Sequence, residues 1–400
     1  MTIPTDELTA DISKLSLQHG SQNTVNCKGF VHSNVSHFPS VPCKFFQESR
    51  EIGTFTRMVS SGKYLFDDKL GLRPLKDDIC EYIHNPAKNA SKIKTQYLGY
   101  DLLNGFEDYI PLSEDELNSM DGILNFIGNW EEKNGKKYGL ENKFTIVSNR
   151  HHLIDLIMCP FSPEEANLIV TYLDGLLIIS SDKSKPKEDS GIRSKDTRVR
   201  KLCYTGFELE NLVTKGKVDS PGMHTCFYSI VENKLTEDVS LLLQAEMDSY
   251  NPKTDNYVEL KCSVNFQLKN SNHRRKLLRM WIQTGLVPRT DLLVGFRDPY
   301  YNQLDALKPY TRDEIYKKFS TRNLNGNRKY YNFNSTIAVQ WSHHVIAKIT
   351  ELVDKNLTDE PLQSFKLTLT RDLQLSLTKL ANTPAGLIPE KFLNSRLAAK

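Results

Sequence analysis

The sequence predicts an α/β or α+β fold, because segments with strand periodicity and segments with helix periodicity interleave along most of the chain. Short apolar runs bounded by turn residues predict strands, and apolar residues spaced three and four apart predict helices. No internal repeat and no linker rich in Pro, Gly or Ser divides the region from about residue 45 to residue 393. The 400 residues can therefore form a single large domain.

Two β-hairpins are predicted with particular clarity. Residues 166–172 and 176–179 are apolar runs separated by Asp174-Gly175, a typical hairpin turn sequence. Residues 365–369 and 373–377 repeat this pattern near the end of the sequence. Residues 144–147 and 241–243 predict further strands, because they are rich in β-branched and aliphatic residues.

Apolar stripes predict four helices, at residues 151–158, 207–215, 274–284 and 336–353. The second of them follows Gly206, which we expect to open the helix. Residues 1–28 are rich in Ser, Thr, Gln and Asn and predict a disordered polar tail that precedes a folded domain at 29–400. Residues 181–200 contain seven basic residues and predict a surface loop, either one that contacts a phosphate backbone or an ordinary flexible insertion.

The composition is that of an average soluble globular protein, with 39% hydrophobic and 25% charged residues. A formal net charge of +3 does not by itself indicate nucleic-acid binding, so a site for a polyanion has to come from local clustering. The seven cysteines include no Cys-x-x-Cys pair and predict reduced thiols. Because no secretory signal or membrane-spanning run is present, we expect an intracellular location and no membrane partner.

Three carboxylates and one lysine are predicted to share a face of a hairpin. Glu246 and Asp248 lie two apart in its first arm, and Glu259 and Lys261 lie two apart in its second. A turn near residue 253 sets the two arms opposite each other. Like charges this close destabilise a sheet unless a cation lies among them. Carboxylates around a hard cation, beside a lysine, are typical of metal-dependent phosphodiester hydrolysis, and the alternative is a solvated strand face with ordinary salt bridges.

Three further segments add candidate residues. Glu210 lies one helical turn after Gly206 and is either a fourth carboxylate of the site or a charge that complements the helix dipole. Arg150 stands at a strand-to-helix junction, where an arginine can bind a phosphate with two hydrogen bonds. The helix at 274–284 carries four basic residues in two turns, with Gln283 near its end. It could bind phosphates, or it could be a surface helix with a basic outer face.

The chain lacks the Gly-x-x-x-x-Gly-Lys-Ser/Thr loop, the Gly-x-Gly-x-x-Gly fingerprint and the Gly-x-Ser-x-Gly elbow. These absences argue against a P-loop nucleoside triphosphatase, a dinucleotide-dependent dehydrogenase and a serine hydrolase.

In order and spacing, the candidate motifs resemble those of the DXO family of RNA 5′-end decapping nucleases, within the wider PD-(D/E)xK group, and a fungal member in particular. The motifs that carry the resemblance are Arg150, Gly206-Phe207-Glu208-Leu209-Glu210, Glu246-Met247-Asp248, Glu259-Leu260-Lys261, the helix at 275–283 and Gly295-Phe296-Arg297-Asp298. Weaker similarity extends over most of the chain. The resemblance implies a single domain with a mixed central sheet, a second smaller sheet and flanking helices.

The resemblance also implies roles for individual residues. Two divalent ions, Mg²⁺ or Mn²⁺, are expected on Glu210, Glu246, Asp248, Glu259 and the Leu260 carbonyl. The catalytic set comprises Glu246, Asp248, Glu259 and Lys261. Lys261 and Gln283 are expected to position the attacked phosphate or the nucleophilic water, and Arg150 to bind a backbone phosphate of the RNA.

The implied activity is the removal of incomplete or non-standard caps, including NAD caps, or of 5′ pyrophosphate, followed by 5′–3′ degradation of the RNA. The expected partners are RNA 5′ ends and, as for some fungal members, a nuclear 5′–3′ exoribonuclease. We therefore expect a nuclear location, with the cytoplasm as the alternative. Two other functions stay open at this point: a largely non-catalytic activator of such an exoribonuclease, and a DNA nuclease of the same broad fold.

The chain departs from the family pattern in two places. The motif arginine lies in Asn149-Arg150-His151, where the family carries an aromatic residue before the arginine and a glycine after it. The segment after Gln283, at 284–290, also differs from the usual pattern. The preferred cap type does not transfer from the resemblance for these reasons.

Overall fold

Two β-sheets form the framework of the computed structural model. The structure describes residues 23–28, 45–46, 48–162, 164–184, 191–216, 225–320 and 335–398. Within these ranges the strands are β1 (Asn23–Asn26), β2 (Ser49–Met58), β3 (Lys63–Phe66), β4 (Phe144–Asn149), β5 (Ala166–Leu173), β6 (Leu176–Ser181), β7 (Thr225–Lys234), β8 (Val239–Glu246), β9 (Ser249–Asn251), β10 (Asn256–Ser263), β11 (Thr290–Arg297), β12 (Leu304–Tyr310), β13 (Leu362–Leu369) and β14 (Gln374–Lys379).

The helices flank both sheets. They are α1 (Asp77–His84), α2 (Pro86–Tyr97), α3 (Glu114–Asn118), α4 (Asp121–Asn134), α5 (Arg150–Met158), α6 (Thr197–Val213), α7 (Ser271–Gly285), α8 (Arg312–Phe319), α9 (Ser335–Asn356) and α10 (Glu390–Leu397). None of the described helices is both long and apolar enough to cross a bilayer.

The larger sheet has ten strands in the order β1-β14-β13-β5-β6-β4-β8-β7-β2-β3. Strand β4 runs parallel to both of its neighbours, β6 and β8, whereas the outer pairs are antiparallel. Every residue of β4 is buried, as expected for a central strand covered on both faces. The smaller sheet has the order β12-β11-β10-β9. The prediction of an α/β or α+β domain with a mixed central sheet and a second sheet is confirmed.

The two predicted hairpins and most predicted helices are present. β5 pairs with β6 across the Asp174-Gly175 turn, and β13 pairs with β14. Both turn residues have positive φ, the conformation that this kind of turn requires. Helices α5, α7 and α9 lie where apolar spacing predicts them and extend one to four residues beyond the predicted bounds.

The predicted polar tail is wrong at its last residues. Strand β1 pairs antiparallel with β14, with Asn23 opposite Leu377, and Cys27 is buried beside it. Backbone hydrogen bonds to β14 hold this edge strand, with Val25 and Cys27 packing against the core, and so short a segment among polar residues gives no sign of a strand in the composition. Residues 1–22 and 29–44, which make up most of the tail and the predicted domain start, lie outside the described residues.

Helix α6 begins ten residues earlier than predicted. Its N-cap is Asp196, whose side chain accepts a hydrogen bond from the backbone N–H of Arg198. The helix therefore includes the end of the predicted basic loop, of which residues 185–190 lie outside the described part. Lysine and arginine are good helix formers, so a basic stretch without apolar residues does not exclude a helix. Gly206 lies inside α6 and does not open it.

The acidic hairpin is only partly as predicted. The hairpin itself consists of β9 and β10, with Tyr250 opposite Tyr257. Strand β8, the predicted first arm, instead belongs to the larger sheet, where it lies between β4 and β7. Glu246 is the last residue of β8 and Asp248 lies in the short passage to β9. The acidic residues consequently stand at the junction of the two sheets.

Helix packing determines what surrounds this junction. On α7, the buried Trp281 contacts the rings of Phe45 and Phe319. On α6, Leu209 and Val213 join the apolar cluster that covers the smaller sheet. Both helices are thereby fixed against their sheets, and each carries a polar residue toward the junction, Gln283 on α7 and Glu210 on α6.

Gly206→Ala should stabilise the protein. A Cβ atom added at Gly206 meets no heavy atom within 4 Å, and an alanine in a helix interior is favoured over glycine by about 1 kcal/mol. We expect the free energy of unfolding in urea to rise by about 1 kcal/mol.

Gly122→Ala is the matched control, because Gly122 also lies inside a helix, α4, but faces the core. A Cβ atom there overlaps the Phe55 ring and comes within 2.7 Å of Gln244 Oε1. We expect destabilisation by about 1–3 kcal/mol from overpacking. Equal effects of the two substitutions would contradict this account.

Candidate active site

All of the side chains predicted for the site line one cavity, of about 340 Å³, at the junction of the two sheets. These predicted residues are Arg150, Glu210, Glu246, Asp248, Glu259, Lys261 and Gln283. They come from α5, α6, the end of β8, the passage to β9, β10 and α7. Leu260, predicted to contribute its carbonyl, lies between Glu259 and Lys261 on β10.

The passage from β8 to β9 is held at both ends. The backbone N–H of Met247 donates to the carbonyl of Phe227, and its side chain is buried. Asp248 Oδ2 accepts a hydrogen bond from the backbone N–H of Leu260 at 2.8 Å. This bond joins the acidic passage directly to β10, so Asp248 and Glu259 stay close although their strands belong to different segments of the fold.

Lys261 lies among the oxygens that the resemblance assigns to a metal. Its Nζ is 2.6 Å from Glu259 Oε1, 3.4 Å from Asp248 Oδ2 and 3.1 Å from the Leu260 carbonyl oxygen. Three predicted ligands therefore already converge around a positive charge.

Arg150 makes two contacts that connect different segments around the cavity. Its Nη1 is 3.0 Å from Glu259 Oε2, and its Nη2 donates to the backbone carbonyl of Glu246 at 2.7 Å. The guanidinium is largely buried and Glu259 is fully buried. In this arrangement Arg150 links β8 to β10; phosphate binding by Arg150 stays a prediction.

Glu259 is kept ionised by these two cations. Burial by itself raises the pKa of Glu259, but the charges and hydrogen bonds of Arg150 and Lys261 outweigh it and lower the pKa to about 2. Gln283 Nε2 also donates to Glu259 Oε1.

The other three carboxylates lack comparable compensation. Burial and the charge of Asp248 raise the pKa of Glu210 to about 8, although Arg73 Nη2 lies 2.8 Å from Glu210 Oε2. Burial and Glu259 raise the pKa of Asp248. Glu246 is in contact with water in the cavity. Desolvation by the surrounding protein and the charge of Asp248 nevertheless raise the pKa of Glu246 as well. The cavity therefore favours additional positive charge.

The chemistry of this donor set fits a hard divalent cation, which takes carboxylate and carbonyl oxygens. Within the described ranges, no three Asp, Glu, His or Cys side chains already stand around one point at ligating distance. Lys261 instead occupies the centre of the Asp248, Glu259 and Leu260 oxygens. These oxygens and the carboxylates of Glu210 and Glu246 would hold such a cation.

The structure separates the two glutamates of the Gly206–Glu210 motif. Glu208 is buried away from the cavity and accepts a hydrogen bond from the Tyr100 hydroxyl at 2.6 Å. Glu210 faces the cavity. The interpretation of Glu210 as a helix-dipole charge fails, because Glu210 lies in the last turn of α6 rather than in its first.

The basic helix has a mainly structural role. Arg274 donates to the carbonyl of Phe319, and Arg275 Nε donates to the carbonyl of Phe161 at 2.6 Å. Of the four basic residues of α7, Arg279 is the one that lines the cavity. It also lines a neighbouring cavity of about 380 Å³, where it pairs with Asp155.

Sequence reasoning did not assign to the site several residues that line the cavity, among them Arg73, Tyr109 and Phe207. Arg73, which binds Glu210, is an isolated arginine before Pro74 and carries no local signal. Tyr109 and Phe207 form a stacked pair on the cavity wall. Phe207 could have been found, because it lies three residues before Glu210 on the same helical face.

Comparison with known proteins gives the family of the chain and agrees with the fold. Residues 47–393 match the family described as RAI1 like PD-(D/E)XK nuclease. Two curated relatives are each named decapping and exoribonuclease protein 1. The one from Saccharomyces cerevisiae is 38% identical over 89% of this chain and 82% of its own length. The one from Kluyveromyces lactis is 34% identical over 93% and 94%.

Solved structures show the same architecture. The crystal structure of K. lactis Dxo1 in complex with manganese has a TM-score of 0.74 at 32% identity and covers 92% of this chain and 100% of that one. Candida albicans Rai1 in complex with pU5-Mn²⁺ has a TM-score of 0.68 and covers 90% and 100%; at 22% identity it supports the fold alone. With a family match over most of its length, this chain belongs to the RAI1-like PD-(D/E)XK nuclease family.

Proposed function

We propose that this protein is a divalent-metal-dependent hydrolase of RNA 5′ ends. It removes incomplete or non-standard caps, including NAD caps, or 5′ pyrophosphate, and then degrades the exposed RNA in the 5′–3′ direction. The observation that carries the proposal is the convergence of Glu210, Glu246, Asp248 and Glu259 in one cavity with Lys261. Relatives at 34–38% identity that are named decapping and exoribonuclease proteins support the substrate class.

The proposed cofactor is Mn²⁺ or Mg²⁺, with two ions per site. Its ligands are the four carboxylates and the Leu260 carbonyl, and the manganese in the K. lactis Dxo1 structure supports this choice. When bound, such ions supply an activated water and neutralise charge on the phosphate oxygens. Four carboxylates provide enough oxygens to hold two ions.

Three of the protein's own polar side chains have distinct tasks. Lys261 lies beside Asp248 and Glu259 and can donate to a non-bridging oxygen of the phosphate. Gln283, on the rigid helix α7, can orient the nucleophilic water. Arg150 keeps Glu259 ionised and fixes the separation of β8 and β10. All three side chains are already in place in the cavity before the substrate binds.

The proposed biological setting follows the resemblance. RNA 5′ ends are the proposed substrate, and a nuclear 5′–3′ exoribonuclease is the proposed protein partner. A nuclear location accompanies that partner. Co-purification of the protein with such an exoribonuclease, and its distribution between nuclear and cytoplasmic fractions, test these two points.

Combined Glu246→Ala and Asp248→Ala substitution should abolish activity. The double variant loses two proposed metal ligands, and we expect Mn²⁺-dependent release of cap products to fall at least about 100-fold with an unchanged circular dichroism spectrum. Glu208→Gln is the matched control, because it alters a glutamate of the same motif that faces away from the cavity and keeps an acceptor for Tyr100. Wild-type activity of the double variant would show that these ligands are wrongly assigned.

A panel of 5′ ends should separate the remaining functions. We expect hydrolysis of NAD-capped, incompletely capped and triphosphorylated RNA with Mn²⁺ or Mg²⁺, loss of hydrolysis with chelator, and little activity on matched DNA. A protein inactive on every end that still accelerates a 5′–3′ exoribonuclease would be a non-catalytic activator. Preference for DNA ends would indicate a DNA nuclease.

Arg150→Ala should lower the free energy of unfolding by about 3 kcal/mol, because Glu259 then stays fully buried with one of its two cations removed. Arg50→Ala is the control: the Arg50–Glu232 pair is exposed and contributes less than about 1 kcal/mol. Urea denaturation without metal measures both. If Arg150→Ala lowered the free energy of unfolding as little as the control does, Lys261 alone would be sufficient to compensate the buried charge of Glu259.

A further inference from the structure

The catalytic cavity has two chemically different linings. One consists of the carboxylates with Arg150 and Lys261, which are suited to a phosphate and its cations. The other is aromatic and aliphatic and includes Tyr109, Phe207, Leu112, Leu117 and Ile192. Contact with apolar groups does not stabilise a phosphate or a metal ion. The second lining is therefore suited to a different, less polar part of the substrate.

The aromatic lining is built from stacked rings. The rings of Phe207 and Tyr109 lie 4.8 Å apart, centroid to centroid, at an interplanar angle of 28°. Tyr204 packs edge-on against Tyr109 at 5.2 Å, and Phe106 packs edge-on against Tyr204 at 5.5 Å. Phe106 and Tyr204 are buried, whereas Phe207 and Tyr109 are only partly buried. The buried rings thus hold the orientation of the two that border the cavity.

This wall stands next to the carboxylates. Phe207 and Glu210 are three residues apart on α6 and share a helical face. Tyr109 lines the same cavity as Glu210 and Glu246. A flat aromatic surface is therefore available beside the position where a phosphate would be bound.

We propose that Phe207, backed by Tyr109, is the platform on which a nucleobase flanking the scissile phosphate stacks. The proposal rests on the function proposed above and adds to it the side chains that hold the nucleoside. Single-stranded nucleic acids are commonly bound in this way, with the backbone on charged groups and the bases on aromatic rings. Stacking is tolerant of sequence, since every base presents a π face. It therefore suits an enzyme that meets RNA ends of any sequence.

The platform should act on substrate binding more than on the chemical step. Stacking is equally strong in the bound substrate and in the transition state, because the base does not change during hydrolysis. Loss of the ring should accordingly raise KM and leave kcat nearly unchanged.

The test uses Phe207→Leu and Phe207→Tyr with three 5′-monophosphorylated RNAs: one intact, one abasic at the first nucleotide and one abasic at the second. For Phe207→Leu we expect KM on the intact RNA to rise about tenfold, with kcat within about twofold of wild type. On one of the two abasic RNAs the substitution should have no further effect, which identifies the stacked base. Phe207→Tyr keeps the ring and should restore the wild-type KM.

Phe106→Leu is the control for general damage to the ring cluster, because Phe106 contacts Tyr204 but does not line the cavity. An equal rise in KM for Phe207→Leu on all three RNAs, or the same rise for Phe106→Leu, would overturn the proposal. If the wild-type protein hydrolyses none of these RNAs, the 5′–3′ degradation in the proposed function fails, while the removal of caps is judged on the panel of 5′ ends above. Equilibrium binding of the same three RNAs then still decides whether Phe207 stacks a base.

Discussion

The charge balance around Glu259 is the constraint on which the rest of the site depends. A fully buried carboxylate would be strongly destabilising alone, and here it is held by Arg150 from one side and Lys261 from the other. Arg150, through its bonds to Glu259 and to the Glu246 carbonyl, also ties α5 to β10 and β8. The ion pairs of Glu259 therefore fix the elements that form the cavity and also set its charge. The other three carboxylates, Glu210, Glu246 and Asp248, lie beside these ion pairs.

The site lies where the chain passes from the larger sheet to the smaller one. It leaves the larger sheet after Glu246 and enters the smaller one at Ser249, with the buried Met247 as the anchor between them. Glu246 and Asp248, on either side of this anchor, both line the cavity. Helices α6 and α7 both contribute side chains to the cavity at this junction, Glu210 and Gln283 respectively.

Much of the fold and most of the site could be predicted from local patterns. The β5–β6 hairpin and helices α5 and α7 follow from periodicity and turn residues, and the acidic residues follow from motif spacing. The sheet that β8 joins could not be predicted, because alternation along a strand does not specify its neighbours. Arg73 and Tyr109 come from remote segments and reach the cavity only through the tertiary fold. The start of α6 could not be predicted from apolar spacing, because its first turn is exposed and basic.

The pairing of β1 with β14 has a consequence for how the protein is made. The first described strand needs a neighbour that lies close to the other end of the sequence. During translation, the segment containing Asn23 must therefore wait until the ribosome has produced β14, which begins at Gln374. Contacts between such distant positions form slowly, so the larger sheet is completed late and β1 stays unpaired on nascent chains until then.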